Sequence, residues 1–248
     1  QMDLERDVSK EELKRAVWDY GTDKSPCLDG FTFGFYRHFW STIENDVFEA
    51  VKHFFTYGDI PKGCNSSFIA LITKIPDANL VKDFKPISLI GSIYKIIAKI
   101  LANRLVGVLE DIVNEVQSAF IVERQILDGR SSLMRSSRGS IIINGSPMEE
   151  FQFFKGLKQG DLLSLFLFIL IMKSLHLSFQ RVVDAGMFMG IKLSLSLNLS
   201  HMFYANDVVF VGQWCDGNIN TLVHVLECFY RASGLQINMS KSKIMGFM

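Results

Sequence analysis

Cysteine is scarce and carries no pattern. Cys27, Cys64, Cys215 and Cys228 never fall at CxxC spacing. His224 lies near Cys228, but two ligands do not make a zinc site. Free, mostly buried thiols of a reducing compartment are expected, and a mini-protein held by disulfides is excluded. Glycine (18) and proline (5) together make under a tenth of the 248 residues, so collagen-like and low-complexity chains are excluded. Disorder is excluded by 48% hydrophobic against 21% charged residues. Charge of one sign is missing too: 26 basic residues balance 26 acidic ones. A channel for nucleic acid is normally served by a basic excess. Only local groups exist here, Lys95 with Lys99, then Lys155, Lys158, Lys241 and Lys243. No apolar run reaches the roughly 20 residues of a membrane span. The longest, Leu162–Met172, is broken only by Ser164 and stops at Lys173, so a buried core helix is expected and no membrane partner. The amino terminus, from Gln1 through Arg6, has no signal-peptide pattern, and the chain reads as a piece of a longer open reading frame.

What is present is mixed periodicity. Ser9 with Glu12 forms a capping box ahead of Leu13, Ala16, Val17 and Tyr20. A loop spans 25–34. The spacing then predicts one helix from Phe35 to Tyr57, with Phe39, Ile43, Val47, Ala50, Val51 and Phe54 on one face and Gly58 past its end. Ser67–Ile75 reads as a strand and 77–86 as polar loop. A helix is predicted over Ser92–Leu109. Residues 128–140 have no period and read as surface loop. Ile141–Asn144 and Phe151–Phe154 flank Gly145-Ser146-Pro147 as a hairpin. An apolar helix follows at 162–179. Leu193, Leu195, Leu197 and Leu199 alternate with polar residues as one half-buried strand. His201–Gly212 is strand, turn, strand. A last helix carries Ile219, Leu222, Val223, Leu226, Phe229 and Tyr230 and ends at Gly234. Helices and strands intermix without a βαβ period, so the fold class is α+β.

There is no phosphate loop, dinucleotide fingerprint, HExxH or nucleophile elbow. Apolar strands present Ala205-Asn206-Asp207 at a tight turn. Taken alone, Asn and Asp at a hairpin turn need no function.

Several linked segments change that reading. Lys155-Gly156-Leu157-Lys158-Gln159-Gly160-Asp161, with Ser164 and Phe166-Leu167-Phe168, resembles motif B of reverse transcriptases. Residues 203–207 resemble motif C, the F/Y-x-A-D-D box. Gly234-Leu235-Gln236-Ile237-Asn238, running on to Lys243, resembles motif D. Upstream, Ser25-Pro26-Cys27-Leu28-Asp29-Gly30-Phe31, Asn65–Lys74 and Phe84–Leu89 resemble segments of the fingers. Gln117–Phe120 and Arg124–Asp128 resemble the segment leading into the palm. All stand in the family's order and cover nearly the whole chain. Jointly they identify the resemblance as one to LINE-type (non-LTR) retrotransposon reverse transcriptases of the plant kind.

The resemblance implies a right-hand polymerase, with fingers and the lead-in to the palm at 1–125 and the palm at 141–248, in one domain over 1–248. It implies RNA-templated DNA synthesis with Mg²⁺, an RNA template, a DNA primer and deoxynucleoside triphosphates, inside the cell and with the nucleus as a candidate site. Three aspartates would hold two metals that activate the primer hydroxyl and neutralise pyrophosphate. Carried onto this chain, Asn206 and Asp207 stand at the catalytic pair, with Asp207 the metal ligand. Lys74, Lys85, Gln159, Gly160 and Lys241 stand at the nucleotide.

The chain departs from the family at its chemistry. Asn206 replaces the first aspartate of motif C, and a neutral carbonyl is a weaker Mg²⁺ ligand than a carboxylate. Motif A, with its own aspartate, should lie between Asp128 and Asn144, yet the 15 residues between them hold no Asp or Glu. The palm sheet is therefore expected to be incomplete, and the copy degenerate or truncated. Lys85 stands for the usual Arg and loses its bidentate fork. Cys27 and Leu28 replace Gly-Pro, and Leu162 and Leu165 replace prolines. The expectation is a reverse transcriptase impaired in chemistry. The rival readings are a remnant that binds RNA or a partner without chemistry, and a product that folds poorly.

Overall fold

A computed structural model describes residues 6–60, 64–114, 138–153, 158–194, 198–204 and 206–246, with the backbone alone at 107–114. The expected segments at 117–120 and 124–128, and residues 155–157, 195, 197 and 205, lie outside the described residues. The chain divides into two compact units, 1–166 and 167–248.

The first unit opens with α1 (Lys10–Trp18), whose N-cap Ser9 accepts the Glu12 amide through its side chain. The other half of the expected box is used elsewhere. The Glu12 carboxylate accepts Arg104 Nε and Nη2, each at 2.7 Å. The predicted helix over 35–57 is two helices, α2 (Phe33–His38) and α3 (Trp40–Tyr57), broken at Phe39. Thr32 caps the earlier start by accepting the Phe35 amide. The break leaves Phe39 exposed and turns Trp40 inward, edge-on to Trp18 with centroids 5.3 Å apart. Gly58 ends α3 in the left-handed conformation at φ 74°, as expected.

Strand β1 (Ser66–Thr73) pairs antiparallel with β2 (Phe84–Ile90), which the polar composition hid. Then α4 runs Ser92–Asn114, beyond the predicted end at 109. Ile96, Ile100 and Leu105 are wholly buried, together with Leu13, Ala16 and Val17 of α1 and Val51 of α3. This is the core of the first unit, and each such leucine, isoleucine or valine contributes roughly 1.5–3 kcal/mol on burial.

The segment read as loop to 140 becomes strand at Arg138. β3 (Arg138–Ile143) runs parallel to β1 and antiparallel to β4 (Ser146–Pro147) and β5 (Phe151–Gln152). The turn joining β3 to β4 is Asn144-Gly145, both at positive φ (51° and 80°), the hairpin geometry those residues favour. Six of the 15 residues between Asp128 and Asn144 thus form a strand, Arg138-Gly139-Ser140-Ile141-Ile142-Ile143, without a carboxylate on it. The sheet order is β2-β1-β3-β4, with β5 on β3.

Helix α5 (Leu162–Asp184) starts in the first unit and continues in the second. At 23 residues it is longer than predicted, and by length and composition alone it could cross a membrane. In the second unit, the alternating leucines do not make one strand. β6 (Ile191–Lys192) and β7 (Asn198–Leu199) pair with each other. Gly190 permits this, because a Cβ there would stand 2.6 Å from the Leu199 carbonyl oxygen. The strands β8 (His201–Tyr204) and β9 (Asp207–Phe210) form the expected hairpin, a separate two-stranded sheet. Helix α6 (Asp216–Ser233) ends at Gly234, φ 71°. Its apolar residues are less covered than the pattern suggests, with Val223 and Tyr230 exposed and Asn218 its buried residue.

Candidate nucleotide and metal site

In the first unit four of the residues expected at the nucleotide, Lys74, Lys85, Gln159 and Gly160, lie on or beside β1 and β2. Ile72 of β1 stands opposite Lys85, so Lys74, two residues on, shares a sheet face with Lys85. Both are exposed, and Lys74 Nζ donates to the Lys82 carbonyl at 2.9 Å. Three residues along β2 from Lys85, about 10 Å by strand rise, the turn bearing Gln159 and Gly160 meets the strand's outer edge at Ser88. The Ser88 amide donates to the Gln159 carbonyl at 2.8 Å. Gly160 has φ +98°, and a Cβ on it would lie 3.2 Å from the Ser88 carbonyl oxygen and 3.4 Å from Ile87 Cγ2. The missing side chain lets this turn approach β2, a packing reason for glycine that the expected nucleotide role did not include.

Beneath the turn lies a polar cluster that sequence reasoning missed. Asp161 is buried and caps α5, its Oδ1 accepting the Leu163 amide at 3.1 Å and its Oδ2 the Ser164 amide at 3.3 Å. Oδ2 also accepts Ser164 Oγ (2.7 Å) and the Tyr94 hydroxyl (3.1 Å). Burial, and then the Asp161 charge, raise the Tyr94 phenol well above its ordinary value. Ser164 Oγ accepts the Lys158 amide at 3.1 Å. Lys158 Nζ is buried without a hydrogen-bond partner among the described residues, 5.0 Å from the Tyr94 ring centroid and 5.4 Å from that of Phe153. Burial pushes its ammonium down to about 8, against the pull of the Asp161 carboxylate. Phe153 takes its place because Gly139 has no Cβ, which would stand 2.7 Å from the ring. The sequence signal was available in part: Asp161 stands immediately before the apolar run that opens at Leu162, an N-cap position.

Asp29, in the segment expected to belong to the fingers, has a structural use as well. Asp29 Oδ2 accepts the Ser92 amide at 2.7 Å and also the Ser92 hydroxyl, capping α4. Cys27 accepts from Lys95 Nζ at 3.3 Å.

In the second unit Asn206 and Asp207 are exposed at the β8–β9 turn, and Asp207 pairs in register with Tyr204. The outward face of the hairpin carries Met202, Tyr204, Asp207 and Val209. The other face, with His201, Phe203 and Phe210, lies on α5, the Phe179 ring 4.6 Å from Phe210 and 5.0 Å from His201. His176 Nδ1 and His201 Nε2 share a hydrogen bond of 2.8 Å. Burial lowers both imidazoles below their ordinary value, reinforced by Lys173 at His176 and by His176 at His201. Lys241 is exposed in the turn after Asn238, its amide donating to the Asn238 carbonyl at 3.0 Å.

Among the described residues, no three His, Cys, Asp or Glu side chains are grouped to hold an ion. Mg²⁺ demands near-octahedral oxygen coordination and takes carboxylates as its protein anchors. One carboxylate beside a neutral amide does not fit a two-metal centre. Asp161 cannot be recruited cheaply, since both its oxygens hold the start of α5 and Tyr94.

Residues 130–246 match the family profile of reverse transcriptase (RNA-dependent DNA polymerase). Over 125 residues the chain is 34% identical to the "Transposon TX1 uncharacterized 149 kDa protein" of Xenopus laevis, covering 50% of this chain and 10% of that protein. Residues 130–246 are thus similar to a reverse transcriptase domain, and half of the chain is similar to a transposon protein. The chain spans about a tenth of the length of that curated relative.

Proposed function

We propose that this chain is the RNA-directed DNA polymerase portion of a retroelement protein, impaired in its chemistry. Residues 1–125 are the fingers with the lead-in to the palm, and 141–248 are the palm. Its ligands are an RNA template, a DNA primer and deoxynucleoside triphosphates, and its setting is intracellular. The observation that carries the impairment is the donor set at the β8–β9 turn, Asp207 with Asn206 and no third ligand among the described residues. Lys74, Lys85, Gln159 and Gly160 favour a second reading, a protein that still holds nucleotide without joining it. Here Gln159 and Gly160 shape the pocket through backbone, and Lys74 and Lys85 offer cations to phosphate.

The test is primer extension on poly(rA)/oligo(dT) with magnesium, alongside binding of dTTP by the same preparation. No extension above a vector-only control is expected, together with measurable dTTP binding. Templated extension would overturn the impairment. Absence of dTTP binding would overturn the nucleotide pocket.

A further inference from the structure

Tyr94 sits midway in the first unit's polar cluster, on a helix whose neighbouring inward positions are isoleucines. It is 2% exposed. A phenylalanine would fill that space as well, so the hydroxyl needs its own reason, because a buried hydroxyl is costly unless bonded. Its hydroxyl donates to Asp161 at 3.1 Å, and its ring faces Lys158 Nζ at 5.0 Å. One side chain therefore meets both residues that bracket Gln159-Gly160. Ser164 closes the ring of contacts, donating to Asp161 at 2.7 Å and accepting the Lys158 amide at 3.1 Å. On the opposite side the turn is held by backbone alone, through the Ser88 amide.

We propose that Tyr94 is a positioning residue for the nucleotide-binding turn, gripping Lys158 with its ring and Asp161 with its hydroxyl so that Gln159 and Gly160 are presented in one conformation. The inference rests on the nucleotide-pocket reading above. It extends that reading to a residue of α4 that touches no nucleotide. A turn with positive φ at Gly160 has several accessible shapes. Holding one shape before the ligand arrives removes the ordering cost from binding.

The experiment uses the full chain and the variants Tyr94→Phe, Tyr94→Leu, Ser164→Ala, Ser164→Thr and the double variant Tyr94→Phe/Ser164→Ala. Two readouts are taken, amide hydrogen exchange and dTTP affinity. Tyr94→Phe keeps the ring and loses the hydroxyl. It should speed exchange of the Lys158 and Asp161 amides roughly tenfold, the order for a hydrogen bond to a charged group, with the Ile100 and Leu101 amides of α4 unchanged. Tyr94→Leu should exceed it, and Ser164→Thr, which keeps the hydroxyl, should stay near the unsubstituted chain. dTTP affinity should fall severalfold in Tyr94→Phe. The double variant should lose less than the two single losses combined, since both act through Asp161. Unchanged exchange at Lys158, or faster exchange spread evenly along α4, overturns the proposal. So does a loosened turn that binds dTTP as before. If the unsubstituted chain binds no dTTP, the pocket reading falls, and exchange at Lys158 still decides whether Tyr94 holds the turn.

Discussion

Replacing Gly160 with alanine separates what the motif B glycine does for the fold from what it does for a ligand. Two terms act against the variant. The first is conformational. Gly160 sits at φ +98°, and an L-residue forced to positive φ loses roughly 1–2 kcal/mol. The second is contact. The new Cβ would lie 3.2 Å from the Ser88 carbonyl oxygen. That oxygen belongs to strand backbone, whose own amide is tied to Gln159. Relief requires moving the turn off the strand and lengthening that hydrogen bond, which is worth about 0.5–1.5 kcal/mol. The total is about 1.5–3.5 kcal/mol by these figures. Gly145→Ala is the control, since Gly145 also has positive φ (+80°) but nothing within 4 Å of an added Cβ. It should cost only the conformational term. Urea unfolding followed by the fluorescence of Trp18 and Trp40, both in the first unit with the two glycines, measures the difference. If Gly160→Ala proves no more destabilising than Gly145→Ala, the contact with β2 is not what requires glycine there.

Three further outcomes are expected. Arg104→Met should destabilise the first unit by about 3–5 kcal/mol. Arg104 is a side chain 2% exposed that forks onto Glu12 and donates to the Arg6 carbonyl at 2.8 Å, and its loss leaves Glu12 with the longer 3.5 Å contact to Arg6. Burial by itself would raise that carboxylate, which Arg104, with Arg6, now holds below its ordinary range. A urea midpoint that barely moves would refute this, and adding Glu12→Leu should recover part of the loss. The lowered imidazoles mean that the unfolded second unit binds protons first. Its stability should therefore be full above about pH 6.5, the ordinary histidine value, and fall as pH drops through the lower folded values. Amide exchange in β8 at pH 7 and pH 5 reads this, and an equal pH response in His201→Gln would sink the assignment. Asn206→Asp should give no primer extension, because a second carboxylate on the same hairpin tip still leaves the opposing side of two metals without a ligand. Activity in that variant would mean that another carboxylate completes the centre.

Much of the fold was legible where local chemistry decides it. Ser9, Gly58, Gly234 and the Asn144-Gly145 turn each mark an end or reversal through their own backbone preference, and the structure places each accordingly. The motif B and C segments were legible through their order. Tertiary decisions were not. The break at Phe39 has no Pro or Gly to announce it and follows the docking of Trp40 on Trp18. Strand β2 was hidden by Lys85-Pro86. It is an edge strand, and Ser88, two residues from Pro86, sends its amide outward to Gln159. By the period of two, the amide that Pro86 lacks would point outward too, so no ladder bond to β1 is lost. The cluster under motif B was invisible as a unit because Tyr94 and Asp161 are 67 positions apart. The pairing of His176 with His201 had no sequence signal, since neither spacing nor pattern relates a mid-helix histidine to the first residue of a strand.

The two sets of family residues are subject to different physical constraints. Gln159 and Gly160 are tied into the first unit by the Ser88 amide, a positive φ and the buried contacts of Lys158 and Asp161. A change there is felt by the fold before any ligand is present. Asn206 and Asp207 stand exposed at the tip of a hairpin whose inner face alone is packed on α5. Substitution at such a site usually changes stability by no more than about 0.5 kcal/mol. Losing one of two adjacent like charges even relieves repulsion, since neighbouring carboxylates without a metal raise each other's pKa. The aspartate pair is thus held in place by chemistry alone, whereas the glycine turn is held by folding. On the proposed reading, a chain released from selection for polymerisation would lose the first while keeping the second, and Asn206 beside Gln159-Gly160 fits that course.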